Sequence, residues 1–262
     1  MSELARPASQ LDLPGQDPAI SSARTEAVAA AAQHTPYPSR RQRALLRPLF
    51  ILLRGWYRAR AVGLEELRRA GPCLLVAKHP RTWLYAETML LGHFTFFAEP
   101  GWPEIQVMEK RGTSLHRAPL IGWIRRNVNT IPASEELAVA TLEAGRSVLI
   151  FPGGARELHG EPDRLQWAGR RGFARIAARA GVPVVPLAIR GADRQHPWRL
   201  RVGGQNTLWL PPLPLPVRLT YRFGAPMRPP SVGAEQPLRD FADEVEAATQ
   251  RLLLSGAGAG QA

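Results

Sequence analysis

Lysine occurs only at Lys78 and Lys110 and cysteine only at Cys73 in these 262 residues, and each scarcity narrows what the chain can be. One thiol can neither close an internal disulfide nor build a cysteine-rich zinc cluster, so nothing demands an oxidising compartment. The six histidines, at 34, 79, 93, 116, 159 and 196, show no metal-ligand spacing, and no metal site is expected. The chain has no uncharged apolar run of about 18 residues, so no spanning helix is expected. Nor does a basic stretch followed by a short apolar run open it, which argues against secretion. GxGxxG, Walker, GxSxG and HExxH patterns are missing as well. Dinucleotide enzymes, P-loop NTPases, α/β-hydrolases and zincins therefore lack support.

What the chain does contain is arginine, unevenly placed. The formal charge is +12. Arg41 to Arg60 holds six basic residues and no acid, and Arg164 to Arg201 holds nine against Asp193 alone. Such local fields attract an anionic surface, either nucleic acid or an acidic membrane leaflet. No recognised nucleic-acid module accompanies them, so no nucleic-acid partner is predicted. With 45% hydrophobic residues, seven Trp and eight Phe, most of the chain is globular.

Residues 1–38, rich in Ala, Ser, Pro and Gln, read as a disordered lead. In 39–62, Leu45, Leu49, Leu52, Leu53 and Trp56 recur at helical spacing among arginines, with Pro48 as a break or a start. That pattern predicts an amphipathic helix, lying either in a membrane interface or against the domain. From 63 to 232, short apolar runs at 73–77, 105–108, 147–151, 184–189 and 217–223 alternate with helical stretches at 87–97, 135–144 and 167–180. Ser134 is the expected N-cap of the second helix, and Gly181 the expected stop of the third. The alternation predicts one α/β domain, its mostly parallel or mixed central sheet flanked by helices and preceded by the amphipathic N-terminal helix. A last helix falls in 233–255, with Leu238, Phe241, Val245 and Leu252 on one side, and 256–262 is a loose tail.

In an open α/β sheet, reactive groups gather where strands end. Two exits stand out, "LLVAKHP" and "VLIFPGGARE". His79, at the first, is either a reactive imidazole or a turn histidine. At the second, Gly153 and Gly154 permit close backbone approach to a ligand, and Arg156 supplies a forked cation. A tight turn beside an ordinary surface arginine has the same appearance.

The blocks "VAKHPRTWLYAETMLL", "APLIGWIRRNVNTIPAS", "SVLIFPGGARE" and "AGVPVVPLAIRGAD" resemble, in order, the four blocks of the glycerolipid acyltransferase superfamily. "FPGGARE" followed by "LQWAGRRGFARIA" looks most like its monoacylglycerol and diacylglycerol acyltransferase branch. The resemblance implies that His79 acts as general base on an acceptor hydroxyl, which attacks an acyl thioester carried by coenzyme A or an acyl carrier protein. No other cofactor is implied. Gly153 and Gly154 would shape the oxyanion pocket, and Arg156 would meet a phosphate. Arg81, Thr82 and Tyr85 behind the histidine, Lys110 and Arg111, and Glu157 after the glycines are the further candidates for substrate contact.

Three departures qualify the likeness. Leu84 and Tyr85 fill the place of the carboxylate that usually orients the histidine, leaving Glu87, or Glu157 through space, to substitute. Gly153 stands where phosphate-using members carry Glu, and Ile131, Pro132 and Ala133 stand where they carry Asp and Arg, which points to a neutral hydroxyl lipid. The expected function is acyl transfer to a glycerolipid or lysophospholipid hydroxyl by a cytoplasmic protein, peripheral on the inner, anionic membrane face. The alternative is a catalytically inactive membrane-surface binding protein of the same fold.

Overall fold

The computed structural model describes residues 40–81, 90–94, 104–109, 129–167, 169–201, 207–211, 213–231 and 235–255, with 26, 29 and 233 as single residues. The chain runs α1 (Arg40–Trp56), β1 (Arg60–Val62), α2 (Leu64–Ala70), β2 (Leu74–Ala77), β3 (Ile105–Glu109), β4 (Thr130–Pro132), α3 (Glu135–Glu143), β5 (Ser147–Ile150), α4 (Gly172–Ala180), β6 (Val184–Arg190), β7 (Trp198–Arg201), β8 (Thr207–Leu210), β9 (Thr220–Phe223) and α5 (Glu235–Leu254).

Seven strands form one sheet in the order β1-β9-β6-β2-β5-β3-β4, and every neighbouring pair is parallel except β6 with β9. The mixed α/β sheet is the expected class. Its centre is β6-β2-β5, whose near-continuous apolar sequences suit strands covered on both faces. All four residues of β2 are buried, and they alternate between two cores. Leu75 and Ala77 join Tyr57, Leu67 and Tyr221 on one side, while Leu74 and Val76 join Phe173, Ile176, Phe241 and Val245 on the other.

Local chemistry sets the flanking helices. Ser134 Oγ accepts the Leu137 N–H at 3.3 Å and starts α3, and α4 stops at Gly181 in a left-handed conformation. The expected helix from Trp167 begins only at Gly172. Gly169, with φ of 72°, turns the chain there, and Trp167 serves as a buried core residue instead. Pro48 sits within α1 without ending it. The strand expected from Val217 begins at Thr220. Of the helix expected over 87–97, only 90–94 are described, and they are helical.

The antiparallel β7–β8 hairpin lies outside the main sheet. The strap that follows it runs back along the end of α1. Trp56 Nε1 donates to Pro214 O at 3.2 Å, Arg58 Nη2 to Pro216 O at 3.4 Å, and Leu219 N to Tyr57 O at 3.0 Å. Among the described residues, no helix is long and apolar enough to cross a membrane.

Candidate active site

Parallel neighbours β2 and β5 end on the same edge of the sheet, with β6 beside β2, so the segments leaving all three meet. Beyond Ala77 come Lys78 and His79. The His79 ring packs against Phe151 at 5.0 Å between centroids and remains partly exposed. Its Nδ1 lies 2.8 Å from the Pro80 carbonyl oxygen. A carbonyl can only accept, so the ring proton sits on Nδ1 and Nε2 is left as the acceptor. Nε2 takes no partner among the described residues. Burial holds the imidazole pKa below its ordinary 6.5; the Pro80 carbonyl opposes that shift and the Lys78 charge adds to it. The ring is therefore neutral near pH 7.

The exit of β5 holds the histidine's main chain. After Phe151, Pro152 and Gly153, a 3-10 turn over Gly154–Leu158 carries Glu157 back into the protein, where it is fully buried. Its Oε2 accepts the His79 N–H at 2.6 Å and its Oε1 accepts the Gln166 N–H at 3.0 Å. Burial raises the Glu157 pKa, while the two N–H donors and Lys78 pull it down. The carboxylate lies against Gly153, where an added Cβ would come within 2.2 Å of Glu157 Cδ. Glycine is required at 153 for space and at 154 for its φ of 55°. Arg170 closes the turn from outside, donating from Nη1 to Pro152 O and Gly153 O, each at 3.3 Å.

A third group arrives from β6. Gly191, with φ of 92°, turns the chain into a short 3-10 segment that presents Asp193. Its Oδ1 stands 3.3 Å from Arg81 Nε and 3.9 Å from Lys78 Nζ, and both cations are buried. Burial lowers the Lys78 pKa, and the Asp193 and Glu157 carboxylates raise it. The two cations on either side of His79 in the sequence are thus held in place by one shared carboxylate.

Of the residues singled out by sequence, His79, Arg81, Gly153, Gly154 and Glu157 converge here. Arg156 sits exposed on the same turn. Thr82, Tyr85, Glu87, Lys110 and Arg111 lie outside the described residues. One expectation changes: Glu157 contacts the peptide N–H of His79, not its ring, and Pro80 supplies the oxygen facing Nδ1. Sequence reasoning missed Asp193, Lys78 and Arg170 as parts of this site. Their only sequence signals were an acid closing the "AIRGAD" block, a lysine before the histidine and an arginine in "WAGRRG".

A family model described as acyltransferase matches residues 58–190, just over half of the chain. An uncharacterized protein of Mycobacterium tuberculosis is 26% identical over 235 residues, covering 80% of this chain and 65% of its own length. The 1-acyl-sn-glycerol-3-phosphate acyltransferase of Pseudomonas aeruginosa is 31% identical over 137 residues, 48% of this chain and 47% of that protein. The chain thus spans less than two thirds of the length of these curated relatives. Among solved structures, the 1-acyl-sn-glycerophosphate acyltransferase of Thermotoga maritima shares the fold, with a TM-score of 0.52 at 18% identity over 88% of this chain and 89% of that one.

Proposed function

The chain belongs to the acyltransferase family, and from that premise we propose that it moves a fatty acyl group from a thioester donor to a hydroxyl of a glycerolipid or lysophospholipid. The observation that carries this reading is the 2.8 Å approach of His79 Nδ1 to the Pro80 carbonyl, which leaves Nε2 to accept a proton at the sheet's edge. In the proposed step, Nε2 takes the acceptor's hydroxyl proton as that oxygen attacks the thioester carbonyl. The tetrahedral oxyanion collapses, the carbon–sulfur bond breaks, and the proton passes to the departing sulfur. The products are an ester and a free thiol.

A general base of this kind contributes roughly 10²–10⁴ in rate. The depressed pKa keeps the imidazole unprotonated at neutral pH, and Glu157 holds the peptide that carries it. The missing carboxylate after His79 is then no obstacle to catalysis, because a main-chain carbonyl fixes the same tautomer. The donor is an acyl-coenzyme A or acyl carrier protein thioester, and no further cofactor takes part. Arg81, with Lys78 and Arg156 nearby, supplies positive charge for the phosphates of donor or acceptor. The acceptor is a membrane lipid, so the protein works at the cytoplasmic face of a bilayer.

The reading is tested by incubating purified protein with labelled oleoyl-coenzyme A, or its acyl carrier protein counterpart, and lysophosphatidic acid, lysophosphatidylglycerol or monoacylglycerol. Thiol release matched one for one by ester formation with some acceptor is expected. Protein that leaves both thioesters intact with every acceptor would overturn it.

A further inference from the structure

We propose that the β7–β8 hairpin and the strap behind it form, together with the outer face of α1, one continuous docking surface for an anionic lipid bilayer. The inference deepens the reading that the acceptor lies in a membrane. It concerns binding alone, so it stands or falls separately from acyl transfer.

The helix carries two apolar stripes. Leu46, Phe50, Leu53 and Tyr57 recur at spacings of four, three and four and face the core. Leu45, Leu52 and Trp56 recur at seven and four, on a second stripe centred roughly 110° away at about 100° per residue. That stripe is exposed: Leu45 and Leu52 are each 65% exposed and Trp56 is 47% exposed.

The strap extends the stripe. Trp56 donates to Pro214 O, and the residues on either side of that proline, Leu213 and Leu215, point outward, Leu213 being 76% exposed. On the hairpin, Trp198 and Leu200 lie two residues apart and so share a face, both of them exposed. Trp198 pairs with Leu210, three residues before Leu213. Single exposed leucines are ordinary; a run of leucine and tryptophan shared by two elements and joined by a hydrogen bond marks an interaction surface.

Charge identifies the partner. Arg41, Arg47 and Arg54 are exposed on the same helix and Arg58 in the turn just past its end, with no acid anywhere from Arg41 to Arg60. An acidic leaflet offers phosphates to the guanidinium groups and acyl chains to the leucines, with tryptophan at headgroup depth. Each arginine near such a leaflet strengthens binding roughly fivefold. Nucleic acid would leave the leucines in water. A symmetric second copy would set arginine against arginine.

The single cysteine supplies the probe. Cys73 is buried and its thiol pKa is pushed up to about 12, so it stays unreactive, and a cysteine placed at 213 takes a label alone. The full chain carrying Leu213→Cys with an environment-sensitive fluorophore is mixed with phosphatidylcholine vesicles, either pure or containing roughly one third phosphatidylglycerol. A blue shift confined to the anionic vesicles is expected. The Trp198→Ser/Leu213→Ser variant, altered only at exposed positions, should melt like wild type yet partition onto those vesicles about tenfold less or worse. The proposal is overturned by a label that stays aqueous on vesicle-bound protein, by undiminished binding of the double variant, or by a blue shift that grows with protein concentration in the absence of vesicles.

Discussion

Replacing Gly153 with alanine drives a methyl group into the buried carboxylate of Glu157: the new Cβ would lie 2.2 Å from Cδ and 2.6 Å from Oε2. Two responses are open. Glu157 can swing away and abandon the His79 and Gln166 N–H groups, each such charge-assisted bond being worth about 1.5–3 kcal/mol. Alternatively the turn can give way, at an overpacking cost of about 1–3 kcal/mol. The cheaper route sets the loss, at about 1–3 kcal/mol. For a chain of this size that lowers the melting temperature by roughly 2–12 °C. Activity should suffer more than stability, because a shift of about 1 Å in the peptide carrying His79 is enough to cost around 10²-fold. Thermal unfolding and initial rates of thiol release on Gly153→Ala, Glu157→Ala and the double variant measure both effects. With no carboxylate left to strike, the double variant should be no worse than Glu157→Ala alone, which is strong non-additivity. A Gly153→Ala protein with wild-type melting and rate, or losses that simply add, would refute the proposed coupling of the glycine turn to the histidine.

Three further outcomes are expected. Arg170→Ala removes the donor to Pro152 O and Gly153 O at an exposed position, so it should cost no more than about 1 kcal/mol of stability while slowing transfer measurably; equal rates would disconnect that arginine from the site. Asp193→Asn strips Lys78 and Arg81 of their shared anion and should destabilise by about 3–5 kcal/mol. Because the Lys78 pKa is already depressed, that penalty should shrink as alkaline pH discharges the lysine, and a pH-independent deficit would argue otherwise. Cys73 keeps its proton up to about pH 12 when folded against 9.0 ordinarily, so unfolding releases a proton in between. Its contribution is intact below pH 9 and falls by about 4 kcal/mol in total as pH rises to 12, a slope that Cys73→Ala should abolish in urea titrations.

The central strands were readable because β2, β5 and β6 are short apolar runs flanked by Gly, Pro or polar residues, the signature of strands covered on both faces. Strands β1 and β4 were not, since three residues show no period, and each is defined only by its neighbour, β9 or β3. The hairpin is not legible because Arg199 and Arg201 alternate with Trp198 and Leu200, so the segment reads as the end of the basic run from Arg164 to Arg201. The apolar spacing predicts α4 from Trp167, five residues before it begins, because Trp167 and Ala168 continue a pattern that Gly169 interrupts. At the site, a motif can show that His79 leaves one strand and Glu157 follows another, but the order β6-β2-β5 that brings Asp193 beside Lys78 is written in no single segment. The partner of the imidazole was hidden for a different reason. The group facing Nδ1 is the backbone carbonyl of Pro80, and every residue carries such an oxygen whatever its side chain.

The most direct test is the pH dependence of acyl transfer by wild type and His79→Ala under single-turnover conditions. Wild-type rate should rise with pH to a plateau through a midpoint below 6.5, since burial and Lys78 both disfavour the imidazolium. His79→Ala should melt normally, lose roughly 10²–10⁴ in rate, and lose that inflection with it. A His79→Ala protein that transfers acyl groups at the wild-type rate, or that keeps the same inflection, would show that this imidazole is not the base.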